Sequence, residues 1–286
     1  MSPDPSTVSA SGSRGPSFPT AAFRVFNLSV GEMLWSRRTI FMALVVGAPV
    51  AIALIFRALD LLGVPAVRIN RVRVGGETIF GGMIWLLYLR FAVPVLGLFY
   101  GTALMADEIE DKTLTYLFTR PIRRGAVLVG KYCSYLTCTG VVVLPSVMLV
   151  YFLIVPLGGG SIGRAFPALV TDLALLAVGL ASYGALFAFV GTWLRRPLVA
   201  GLAFAFGWEQ LTLVVPGYLR RGTVAYYLQA LVPHAMPEDS TFTALQGLFR
   251  DVPSVAVSLT CLAAITGACL WLAIRMVERR EYVLSD

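Results

Sequence analysis

Three kinds of side chain in this sequence could do chemistry: charges set inside apolar runs, a block of acids between two such runs, and a few lone nucleophiles. Arg90, Asp172 and Glu209 fall within stretches dominated by Leu, Val, Ile, Phe and Ala. A charge in such a place is costly unless it faces protein or water, so each marks a pair or a path. Asp107, Glu108, Glu110 and Asp111 form the acidic block. It could hold a divalent cation, but the sequence supplies no convergent partner for one. His234, the one histidine, has no carboxylate or cysteine cluster beside it, and no H-E-x-x-H or nucleophile motif appears. Cys133, Cys138, Cys261 and Cys269 lie in apolar runs at spacings that match no zinc or disulfide framework. No catalytic residue, metal ligand or bound cofactor is assigned. There is no G-x-x-x-x-G-K-[ST] phosphate loop, and the G-x-G-x-x-G spelled by 158–163 follows an apolar run without a strand, so it reads as a turn.

The elements that must position these residues are membrane helices. Of 286 residues, 57% are hydrophobic and 14% charged, against roughly a quarter charged in soluble domains. Mean hydropathy is +0.78, and it is spread over several runs rather than one anchor. About 20 residues of helix cross the hydrocarbon. Runs near that length occur at 40–56, 79–106, 126–157, 168–194, 198–215 and 255–274. The fold class is therefore an all-α membrane protein with six transmembrane helices. The first run is short and borrows Thr39 and the stem of Arg57, and Pro145 is expected to kink the long third one. The Ser- and Pro-rich residues 1–20 read as a disordered cytoplasmic tail. Residues 21–38 read as an amphipathic interfacial helix with Phe23, Phe26, Val30, Met33 and Leu34 on its apolar side, and 39–286 as the membrane domain.

Six spans put both termini on one side. With the termini inside, fourteen of the 23 basic residues fall in cytoplasmic segments and eight outside, which favours that orientation. Arg68, Arg71 and Arg73 in the first outer loop run against the trend. The excess of Lys+Arg 23 over Asp+Glu 16 reports topology and lipid headgroups, and no nucleic-acid partner is assigned.

The connector after the second span changes character twice. Its acids give way to Leu114, Leu117 and Phe118 at i, i+3, i+4, then Pro121 stops the helix and Arg123 and Arg124 follow. Acids at the start of such a helix suit its dipole. A soluble connector does not need the apolar triplet, which looks like a docking surface. Glu108, Glu110, Thr113, Leu114, Leu117, Pro121, Arg123 and Lys131 stand in the order and spacing of the hallmark that follows the second span in permease subunits of ABC-2 type ABC transporters. The chain resembles that family, with Lys112 where the pattern usually has Gly.

That resemblance implies a coupling helix between spans two and three, carried by Glu108, Glu110, Thr113, Leu114, Leu117, Phe118, Pro121 and Arg123, seated in a groove of a cytosolic ABC ATPase. It implies two permease copies with an ATPase dimer, ATP and Mg held by the ATPase and none by this chain, and export across the bacterial inner membrane. An outer-surface accessory protein is a further candidate partner, beside membrane lipids. Counting inward from the outer boundary, Arg90 lies ~16 Å deep and Glu209 ~10 Å, so the two can pair, either locking the helices or lining the substrate path, with Asp172 as a third charge. Rival readings are an ATPase-driven mechanical or assembly component without bulk transport, an ion-coupled carrier relaying protons through Asp172, Glu209 and Arg90, and a membrane enzyme acting on lipids.

Overall fold

An apolar segment that crosses lipid has to satisfy its backbone N–H and C=O groups internally, and a helix lets a single segment do so. The computed structural model, which describes residues 17–35, 37–63, 68–69, 72–73, 75–110, 124–194, 196–209, 221–232 and 253–279, follows that rule. Its helices are α1 (Phe18–Leu34), α2 (Arg37–Leu61), α3 (Gly76–Met83), α4 (Val93–Glu110), α5 (Arg124–Ile154), α6 (Ile162–Trp193), α7 (Pro197–Leu202), α8 (Val224–Gln229) and α9 (Val255–Arg279). Two π-helical segments, Ile84–Ala92 and Ala203–Trp208, join α3 to α4 and extend α7. Between α2 and α3, Arg68–Ile69 and Val72–Arg73 pair as a two-residue antiparallel ladder.

Five stretches are long and apolar enough to cross a membrane: Arg38–Leu61, Gly76–Leu104, Arg124–Ile154, Ile162–Trp193 and Val255–Arg279. The expected fifth of six spans is present only as the shorter apolar helix Pro197–Trp208, and its remainder after 209 lies outside the described residues. Within their most apolar windows, Gly76–Leu104 is 61% buried and Val255–Arg279 only 22%. The second span is therefore central, and α9 turns most of its surface outward.

Local chemistry sets the helix ends. Pro19 in the first turn of α1 lacks an N–H that would go unbonded there anyway. Over the residues 21–38 expected to form one helix, α1 runs from Phe18 to Leu34 and Arg37 opens α2, with the Thr39 hydroxyl donating to the Met33 carbonyl (2.7 Å) across the break. Pro197 starts α7 and holds Arg196 out of the helical region, ending α6. Gly159, at φ 86°, makes the turn between α5 and α6 that the glycine-rich stretch was expected to make. Pro145 sits inside an unbroken α5.

Packing follows small residues and buried tyrosines. Gly97 and Gly101, one turn apart on α4, meet α6 so closely that a Cβ would lie 2.8 Å from that of Tyr183 and 2.9 Å from that of Phe187. Gly191 on α6 returns the contact at the Thr102 carbonyl, 2.6 Å from where its Cβ would stand. Such small-residue seams let membrane helices approach where no hydrophobic effect drives them together. Tyr132 and Tyr135 of α5 donate to the carbonyls of Ala181 (2.8 Å) and Leu180 (3.0 Å), fixing α5 antiparallel to α6.

Against α6, α9 runs parallel: Thr266 bonds Ser182 (3.1 Å), and eight residues on Ile274 packs in the same cluster as Phe189. α1 runs beside the opening of α5, with Ala22 and Val25 against Gly130 and Ser134 donating to the Phe26 carbonyl (3.0 Å). Its buried face is Ala21 and Ser29, while Phe23 and Leu28 stay exposed.

Candidate functional site

The second span changes its winding where its charge sits. Through Ile84–Ala92 the helix is π-helical, with the Val93 N–H reaching back to the Tyr88 carbonyl. Pro94 follows, and its ring would strike the carbonyl four residues earlier in a regular α-helix, a clash that wider winding avoids. At that wider pitch Trp85, Leu89, Arg90 and Pro94 share one face, and together they line a pocket. The Arg90 guanidinium lies over the Trp85 ring, 5.1 Å from its centroid, a cation–π contact that shelters the charge.

A second π-helical segment closes on the other side. Ala203–Trp208 ends with the Glu209 N–H reaching the Phe204 carbonyl. Phe204 and Phe206 tie this segment to Phe187 of α6 and to Phe91, each pair 6.4 Å apart. Glu209, 3% exposed, then enters the same pocket. The Tyr183 hydroxyl donates to its Oε2. The backbone N–H groups of Val224 and Ala225 also reach its carboxyl group, and Arg90 stands within electrostatic reach. Ala225, Leu228 and Gln229 form the remaining wall of this small, partly open cleft.

After the apolar run expected at 198–215, the short helix Val224–Gln229 reaches the middle of α6, with Leu228 against Gly179. Its apolar Val224, Tyr227 and Leu228 are buried, so the bundle offers a better seat than the interface.

The structure thus brings Arg90 and Glu209 to one pocket, as their depths suggested. Asp172 is not among the lining residues. It is fully buried in α6, eleven residues before Tyr183, or roughly 16 Å along the axis. On the connector, Glu108 and Glu110 belong to the last turns of α4 and so extend the second span rather than opening a new helix. Thr113, Leu114, Leu117, Phe118, Pro121 and Arg123 lie outside the described residues. Arg124 begins α5 and Lys131 sits in its second turn.

Sequence reading missed Tyr183, Trp85 and Gln229. A tyrosine in an apolar run facing a glycine was the available signal for Tyr183, and Trp85 five residues before Arg90 becomes a neighbour only in π winding. No cluster of three His, Cys, Asp or Glu that could hold a metal occurs among the described residues.

A buried acid and an arginine between membrane helices suit transport better than bond-making chemistry. The family model of the ABC-2 family transporter protein matches residues 18–269, which takes in α1, both walls of the pocket and the connector. The chain belongs to the ABC-2 transporter family. No curated protein matches it. As an ABC-2 family member it is a multi-pass membrane protein and a permease of the ABC transporter class, whose membrane subunits are generally non-catalytic.

Proposed function

We propose that this chain is the membrane half of an ATP-driven exporter, working as a pair of copies on a cytosolic ABC ATPase dimer that holds the ATP and Mg. The observation that carries the reading is the continuity of the second span. One helical rod runs from the pocket at Arg90 to Glu110 at the head of the connector, about 30 Å at 1.5 Å per residue. A push on the connector by closing ATPase subunits therefore reaches the pocket without passing through a loop. Leu114, Leu117 and Phe118 are the gripping surface, with Glu108, Glu110, Thr113, Pro121 and Arg123 setting its ends.

The orientation and the sixth crossing are part of the same proposal. Because α6 and α9 run parallel, the chain between them has to cross back, and α7 with its π segment is the first half of that return. The start of α5 and the ends of α6 and α9 share one end of the bundle, since Gly125 meets Ile274 and Glu278, and Leu128 clusters with Phe189. Arg124, Arg275 and Arg279 lie there, which supports a cytoplasmic assignment for that end and for both termini at the bacterial inner membrane.

The test is purification of the tagged full chain from its native membrane. An ATPase is expected to accompany it, and Leu117→Asp with Phe118→Asp should abolish that association while the chain still inserts. Retention of the ATPase by the double variant refutes the coupling surface.

A further inference from the structure

We propose that the end of α9 carrying Arg275 and Arg279 is a docking site for one phospholipid with an anionic headgroup. The inference needs only that α9 crosses the bilayer, so it stands apart from the proposed ATPase coupling and orientation.

The stretch from Val255 to Ile274 holds no charge and measures about 30 Å at 1.5 Å per residue, the thickness of the hydrocarbon. Arg275 is therefore the first charged side chain of α9 at headgroup level, and Arg279 follows one turn later on the same exposed side. The Arg275 guanidinium rests on the Trp271 ring, 4.8 Å from its centroid. Trp271 is 55% exposed, so the pair stands on the outer surface of the bundle rather than between helices. An indole at that level anchors the helix. A guanidinium stacked on it is aimed, which suits a forked hold on phosphate oxygens.

The positive charge is not cancelled within α9. Its one acid, Glu278, turns Oε1 toward Gly125 of α5, 3.1 Å from where a Cβ there would stand. Among the described residues no ion pair joins Glu278 to Arg275 or Arg279. Glu278 thus faces the start of α5, where Arg124 stands, and the two arginines keep their charge for the lipid side.

Two to three turns deeper, Ala264, Gly267 and Ala268 are exposed, and nothing lies within 4 Å of a Cβ added at Gly267. Beside the larger Trp271 and Leu272 these small residues leave a shallow track that leads from headgroup level into the hydrocarbon. An acyl chain fits there. Free phosphate would use the arginines and leave the track empty, so the surface as a whole suits a lipid.

The test uses the full chain in vesicles of phosphatidylcholine and phosphatidylglycerol at equal mole fractions. Leu272, exposed beside the pair, is exchanged for p-benzoylphenylalanine, and the adducts formed on irradiation are identified by mass. Phosphatidylglycerol should exceed phosphatidylcholine about fivefold among them, the factor that corresponds to one basic residue beside an anionic surface. Arg275→Gln with Arg279→Gln should bring the two lipids to parity. Parity in the parent overturns the site, and so does a crosslink to a second copy of the chain in place of lipid. Raising NaCl from about 0.05 M to about 0.5 M should lower the parent's preference by screening; an unchanged preference overturns the role of the arginines, and this arm decides the matter if the double variant does not insert.

Discussion

Replacing Gly101 by Ala should destabilise the bundle, and the sign of the effect separates close packing from helix propensity. In an exposed helix the change is stabilising by about 0.5–1 kcal/mol, because glycine loses more backbone freedom on folding. At Gly101 the new Cβ would stand 2.9 Å from the Phe187 Cβ and 3.0 Å from the Gly184 carbonyl oxygen. Both are fixed to the α6 backbone, so no side-chain rotation relieves the contact and α4 has to move away. Overpacking of this kind costs roughly 1–3 kcal/mol. After the propensity gain, a net loss of up to about 2.5 kcal/mol remains. The assay is SDS-titrated unfolding of the purified chain in mixed micelles, followed by tryptophan fluorescence. Gly140→Ala in α5, where nothing lies within 4 Å of the added atom, is the comparison and should be neutral or stabilising. Equal midpoints for the two variants would show that α4 and α6 do not meet as described.

Three further outcomes are expected. Tyr135→Phe removes the donor to the Leu180 carbonyl and should cost about 0.5–1.5 kcal/mol in the same titration. Gly159→Ala forces a side chain at φ 86° and should cost roughly 1–2 kcal/mol, although nothing lies within 4 Å of the added atom. Arg90→Lys keeps a positive charge beside Glu209 and should retain more expression and transport than Arg90→Gln; equal losses remove the idea that the two work as a pair.

The residues that carried most information in the sequence were those whose position depends on hydropathy alone. Five of the expected spans are present because a long apolar run has no other stable state in lipid. Arg90 and Glu209 were brought together by depth, which needs only a residue count. Winding was not legible: nothing in the composition of Ile84–Ala92 announces a π-helix, so Trp85 and Tyr183 went unnoticed as pocket residues.

The face of α1 that packs on the bundle is not its most apolar one: Ala21 and Ser29 are buried, while Phe23 and Leu28 are exposed. Hydrophobicity marks the side that prefers lipid, whereas helix contact in a membrane selects small residues. The depth of Val224–Gln229 was hidden likewise, because its seat depends on Gly179 and Glu209, residues far away in sequence.

The claim at the centre of this account is that ATP closure at the connector moves the second span and changes the pocket. Spin labels at Leu86 in the second span and Leu202 in α7, both exposed, allow the separation to be measured in the complex with its ATPase. Adding ATP and Mg should shift the distance distribution by a few ångströms, with return after hydrolysis. A distribution that stays fixed while ATP is being turned over contradicts the account.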